Sequence, residues 1–136
     1  MVGNPPFAGS VTLGQITRFG YTIYLRKIFE NIGGKSDLVA YFFRKIFSII
    51  RIKGTAGLIA TNTISQGDTR EGGIASILDN NGTIYCATKR VYWPGKAAVI
   101  VSVLHLKKGQ NKGNSILDGR IVKRINAFLV DGTQDH

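Results

Sequence analysis

The chain has 136 residues and a formal net charge of +10, from 18 Lys and Arg against 8 Asp and Glu. A 43% hydrophobic share in that length supports one domain with a buried core and excludes wholesale disorder, and no apolar run approaches the ~18 residues that would span a bilayer. The lone Cys86 excludes an internal disulfide, and with only His105 and His136 beside it a structural zinc or a Cys–His nucleophile pair is a poor reading. The basic balance favours a polyanionic partner. No basic run followed by an apolar run opens the chain, so a cytoplasmic protein is expected.

In chain order, the first feature is Asn4-Pro5-Pro6-Phe7. Two consecutive prolines remove two backbone donors, fix two φ angles and keep Asn4 out of the helical region. The product is a stiff, extended turn that presents a carboxamide, an aromatic face and outward carbonyls. Such equipment suits a planar ligand carrying an amino group. The Asn4 amide oxygen and the Pro5 carbonyl can accept two N–H bonds while Phe7 stacks on the ring, and a flipped adenine has that shape.

Residues 13–32 carry apolar side chains at roughly helical spacing, with Gly14 and Gly20 weakening the pattern and Gly33-Gly34 expected to stop it. The best helix is expected over 36–52. Ser36 is its candidate cap, and Asp37 sits in the first turn, where the helix dipole favours an anion. Leu38, Tyr41, Phe42, Ile46 and Ile49 form its expected apolar face, widened by Phe43, Phe47 and Ile50. A helix this apolar is expected to be buried on more than one side.

The continuous apolar run 56–61 reads as a buried strand of a parallel sheet. A polar loop then leads to a short helix expected over 74–78, and Asn80-Asn81-Gly82 to a turn. Strands are expected over 83–89 and 97–106, joined by a turn at Pro94-Gly95. A basic loop at 107–114 follows, and 122–130 reads as a final helix or an extended edge segment. The order implies an α/β sheet ending in an antiparallel strand pair, as in the second half of a Rossmann-like, doubly wound methyltransferase sheet.

Several segments, in this order, resemble the C-terminal part of the catalytic domain of amino-DNA methyltransferases that use S-adenosylmethionine. The likeness is strongest to the adenine-modifying type of restriction–modification and phage-defence systems. Gly3-Asn4-Pro5-Pro6-Phe7 is similar to their catalytic motif and Ser36 to Phe42 to the helix after it. Gly57 to Gly67 is similar to the next strand with its polar loop, and Val91 to Val99 to the segment that closes the base pocket. Leu117-Asp118-Gly119-Arg120 looks like the exit toward target recognition.

The resemblance implies that Asn4 and the Pro5 carbonyl hold the target amine, that Phe7 stacks on the base, and that Pro6 stiffens the loop. It offers Trp93, with Tyr92 as runner-up, as a second wall of the base pocket, and places Asp37 near the cofactor. Lys89, Arg90, Lys96, Lys107, Lys108 and Lys112 are candidate phosphate contacts, which bring affinity rather than sequence choice.

Double-stranded DNA is therefore the expected partner, and S-adenosylmethionine the expected cofactor. The Gly-rich loop and the acidic strand end that hold this cofactor are not in the sequence. Gly33-Gly34 and Gly72-Gly73 do not follow a strand as that fingerprint requires. A fragment is thus expected: residues 1–114 as a partial catalytic domain and 115–136 as the start of a connection to a target-recognition region. It would be completed by the missing half or by a homo-oligomer partner. The alternative is a non-catalytic DNA-binding or subunit-docking remnant. Half a doubly wound sheet leaves an open edge, so association of the isolated chain is expected.

Overall fold

A computed structural model describes residues 1–6, 8, 9, 12, 15, 19–95 and 98–135. Strands β1 (Val2–Gly3), β2 (Thr55–Thr61), β3 (Gly82–Tyr92), β4 (Ile100–Lys108), β5 (Ser115–Leu117) and β6 (Arg120–Val122) form one sheet in the order β1-β2-β4-β3-β5-β6. β1 and β2 are parallel, as are β3 and β5, whereas β4 runs against both β2 and β3. The expected α/β class with its antiparallel β3–β4 pair is what the chain adopts. The run at 56–61 has mixed neighbours instead of two parallel ones, because β4 fills its second side.

Of the helix expected over 13–32, the described residues form α1 (Phe19–Ile28). Asn31, at φ 62°, turns the chain before Gly33-Gly34 is reached. Asn tolerates this left-handed conformation better than most side chains. The second helix, α2 (Leu38–Ile49), starts later than expected. Its cap is Asp37, whose carboxylate accepts the Val39 N–H, while the Ser36 hydroxyl is buried without a partner among the described residues.

The buried face of α2 is also rotated from the expected one. Val39, Phe43 and Phe47, spaced by four, lie against Leu58, Leu104, Leu106 and Ile84 of the sheet, whereas Phe42 and Ile49 are exposed. Tyr41 points the other way, into a small cluster with Leu25, Ile32 and Phe29 of the α1 segment, so the helix is indeed buried on two sides.

After β2 comes a 3-10 turn (Asn62–Ser65). The helix expected over 74–78 is much longer. It runs through α3 (Gly67–Arg70), a π segment (Glu71–Ala75) and α4 (Ser76–Asp79). Within the π segment Gly72 packs on Ile32 and Gly73 on Ala40, so neither position has room for a larger side chain without movement. The Arg44 guanidinium bridges the Gly72 and Glu30 carbonyls at 3.0 and 3.2 Å and ties α2 to this turn. Burial lowers the Arg44 pKa, and nearby Glu30 opposes the shift.

β5 and β6 form a hairpin whose two turn residues, Asp118 and Gly119, have φ of 49° and 78°, the pattern of a tight type I′ connection. Beyond β6 the described residues form neither a helix nor a long strand. Residues 123–135 fold back as an irregular clasp with one bridge, Ile125 to Asp131, that buries Ile125, Ala127 and Leu129 in the main core. Asp135 closes it by pairing with Arg124 and accepting the Ala127 N–H. Arg70 donates to the Asp135 carbonyl at 2.6 Å and lies 4.0 Å from the Phe128 ring centre. No helix among the described residues is long and apolar enough to cross a membrane.

A Cβ on Gly72 would stand 2.9 Å from the Ile32 Cα, a backbone atom that cannot swing aside. Gly72→Ala is expected to lower stability by about 1–3 kcal/mol, read as a reduced denaturant midpoint.

Candidate functional site

Four strands, β1, β2, β3 and β5, point the same way, and β4 points the other way. Their carboxyl ends and the amino end of β4 therefore lie toward one rim, where open α/β sheets bind ligands, with β1 and β5 ending level with Leu58 and Ala87, short of Thr61 and Tyr92. Asn4-Pro5-Pro6 leaves β1 at this rim, Thr61-Asn62-Thr63 leaves β2, Tyr92-Trp93 leaves β3 and Asp118 leaves β5.

At the start of the rim, Pro5 is buried and Asn4 is exposed. The rigid backbone is thus anchored while the carboxamide stays free to meet a ligand. Pro6 is exposed beside it, and Phe7 lies outside the described residues. Ala8, just beyond, is held at both backbone groups. Its N–H donates to the Asp37 carboxylate at 3.3 Å and its carbonyl accepts the Leu38 N–H at 2.9 Å.

Asp37, expected near the cofactor, is 6% exposed. Its carboxylate accepts hydrogen bonds from Ala8, Val39 and, at 3.4 Å, the Thr63 hydroxyl, all from the protein itself. Its own N–H donates to Thr69 Oγ1 at 2.9 Å. Of the Gly pairs, Gly33-Gly34 opens the turn before α2 and Gly72-Gly73 lies inside the π segment, so neither forms a strand-to-helix phosphate or sulfonium cradle. The residues described do not by themselves fit S-adenosylmethionine.

Tyr92 and Trp93 reach the same rim, but β2 and β4 stand between β3 and β1 in the sheet. Three strand spacings are roughly 14 Å. Tyr92 is 77% and Trp93 37% exposed, and the Trp93 N–H donates to the Val99 carbonyl at 2.9 Å, closing the loop between β3 and β4. Both aromatics are available at the rim, on the strand side away from Asn4.

The basic candidates divide between the two ends of the sheet. Lys89 and Arg90 lie at the rim. Lys89 pairs with Asp118 at 3.8 Å and its N–H donates to the same carboxylate at 2.7 Å. Arg90 has φ 56° within a bulge of β3 and is exposed. Bulges of this kind re-aim side chains at sheet rims. Lys107 faces Thr55 and Thr83, the starting ends of β2 and β3, roughly 20 Å from the rim by strand rise.

Lys108 does not offer its ammonium group to a phosphate. It caps α2, donating to the carbonyls of Phe47, Ser48 and Ile50 at 2.9, 3.2 and 3.1 Å. Lys112 is exposed on the loop after β4, at the end away from the rim, and Lys96 lies outside the described residues. The residues that sequence reasoning passed over as site residues are Thr61, Asn62 and Thr63. Thr61 and Thr63 hydroxyls are 2.7 Å apart, and Asn62 Oδ1 is 3.5 Å from the Ser102 hydroxyl. The available signal was a polar triplet ending an apolar strand.

A family model, the MmeI DNA-methyltransferase domain, matches residues 1–118. The chain belongs to that family. Among solved structures, it is similar to the Type IIL restriction-modification enzyme MmeI in complex with DNA, with a TM-score of 0.79 and 23% identity over 97% of this chain and 19% of that one. It is also similar to a modification subunit of a putative type I restriction enzyme from Vibrio vulnificus YJ016, with a TM-score of 0.60 and 15% identity over 90% of this chain and 26% of that one. At these identities the structural likeness speaks to the fold. The chain thus spans about a fifth and a quarter of those two chains. No curated protein matches its sequence.

Replacing Lys108 by Met keeps an unbranched apolar stem but removes the ammonium group, and with it both the cap and the cation–π contact 5.1 Å from the Phe47 ring centre. Lys108→Met is expected to lower stability by about 1–2 kcal/mol, measured by thermal unfolding.

Proposed function

We propose that this chain is the base-holding part of a site-specific DNA methyltransferase that modifies the exocyclic amine of a flipped adenine. The observation that carries this reading is an Asn-Pro-Pro corner at the carboxyl end of β1 in a domain of the MmeI methyltransferase family. The methyl donor is S-adenosylmethionine, held largely by residues supplied from a partner chain or from further sequence. Residues 1–114 form the catalytic part, and 115–136 lead toward target recognition while packing into the same sheet and core. A cytoplasmic location belongs to the same reading.

The amine lone pair of adenine is delocalised into the ring and is a weak nucleophile. Acceptance of its two N–H bonds by the Asn4 carboxamide oxygen and the Pro5 carbonyl favours a more tetrahedral nitrogen. It also stabilises the positive charge that develops there as the nitrogen–methyl bond forms and the donor's sulfur–methyl bond breaks, after which the surplus proton leaves to solvent. The prolines hold both acceptors in place before the base arrives, so little ordering remains for the reaction itself. Phe7 stacks on the extruded base and offsets part of the unstacking cost, and Trp93 or Tyr92 closes the pocket from the loop after β3. Lys89 and Arg90 contact phosphates beside the flipped nucleotide, and Lys96 joins them.

The decisive assay is transfer of a labelled methyl group from S-adenosylmethionine to unmethylated duplex DNA, with the chain alone and mixed with a cofactor-binding half. Label is expected only in the mixture, and Asn4→Ala is expected to reduce it by at least about 100-fold. Label that survives Asn4→Ala overturns the assigned role of Asn4. A non-catalytic role predicts DNA affinity with no label under either condition.

Arg90→Ala is expected to weaken DNA binding equally across unrelated sequences and to reduce the magnitude of the slope of log affinity against log salt by about 1. Lys89→Ala should do less, because Asp118 already occupies Lys89. Titration of labelled duplexes at several salt concentrations reads both.

A further inference from the structure

The Asp37 carboxylate does more than a helix cap requires. A cap needs only the bond from the Val39 N–H, at 3.1 Å. The same oxygen also takes the Ala8 N–H at 3.3 Å, and the other oxygen takes the Thr63 hydroxyl at 3.4 Å. Leu38 returns a bond to the Ala8 carbonyl at 2.9 Å, so Ala8 is gripped from both sides and is nearly fully buried. Thr69 fixes the backbone of Asp37 from α3. One buried carboxylate thus joins the segment leaving β1, the start of α2 and the turn leaving β2.

We propose that Asp37 is a positioning residue for the Asn4-Pro5-Pro6 corner. It acts on the reaction only through that corner and touches neither base nor donor. The chain from Asn4 to Ala8 is short and contains two prolines with fixed φ. Pinning Ala8 at one end, with β1 pinned against β2 at the other, leaves the Asn4 carboxamide and the Pro5 carbonyl little freedom to drift. The purpose of this arrangement rests on the proposed reading of Asn4 and Pro5 as the amine-holding pair.

Two variants separate the clamp from the cap. Serine is a good cap residue but too short to reach both amides, so Asp37→Ser keeps the helix start and releases Ala8. Asp37→Asn keeps the amide oxygen that both N–H groups use. The measurement is site-resolved amide hydrogen exchange by NMR on the whole chain. In Asp37→Ser, exchange at Ala8 is expected to quicken at least about tenfold while the amides of Leu104 and Leu106 in β4 keep their wild-type rates. In Asp37→Asn, Ala8 is expected to stay close to wild type.

Unchanged exchange at Ala8 in Asp37→Ser overturns the proposal. So does a rise shared equally by β4, which would make Asp37 a general stabiliser, and so does loss of Ala8 protection in Asp37→Asn. Exchange needs no substrate. A failed exchange test therefore removes the positioning role and leaves the methylation reading standing, whereas a successful one beside Asn4-independent methylation removes the latter.

Discussion

One reversed strand sets the geometry of this domain. β4 is inserted between β2 and β3 and runs against both, from Val101 opposite Thr61 to Lys107 opposite Thr55. An antiparallel neighbour can be reached by a short loop, whereas a parallel one needs a crossover. The chain therefore enters β4 directly from β3 through residues 93–99, and the carboxyl ends of β1, β2, β3 and β5 lie toward one side, whereas β6 runs back along β5. Leu104 and Leu106 of this strand carry the centre of the core, against Phe43 and Phe47 of α2 and the helical segment after β2. β4 contributes its amino end to the rim, and the loop that enters it carries Trp93 there.

Part of the positive charge serves as fastenings. Lys108 closes the end of α2, Arg44 joins α2 to the π segment, Arg70 draws in the chain end, and Arg26 donates to the Gly34 carbonyl at 3.0 Å. These groups still add to the long-range attraction of a polyanion. Their engaged N–H donors, however, are directed at carbonyls and are not free for a phosphate. What remains at the rim is a smaller and better defined set around Lys89 and Arg90.

The α/β class, the principal strands and the stiff Asn4 corner were legible because each has a local cause: continuous apolar runs, turn residues and paired prolines. The errors fall where distant parts decide. The apolar residues of α2 surround much of the helix, so sequence alone could not choose between Phe42 and Phe43 as the core-facing ring. Ser36 is a good cap by type, but Asp37 reaches the Val39 and Ala8 amides together. The helix from 67 to 79 was hidden by Gly72 and Gly73, which look like breakers but serve as contact points for Ile32 and Ala40. At the site, Lys108 was read as a surface cation because nothing local reveals that its ammonium lies under the end of a helix some sixty residues earlier.

The clasp at residues 123–135 bears on where this domain can be cut. The family match stops at residue 118, yet Ile125, Ala127 and Leu129 fill the same core as Leu58 and Ile77. Arg70 then fastens the last turn through the Asp135 carbonyl and Phe128. A boundary drawn from sequence similarity would strip that cover and leave an apolar hollow beside α4. A cut that respects the fold leaves the clasp, through Asp135, together with the sheet that it covers.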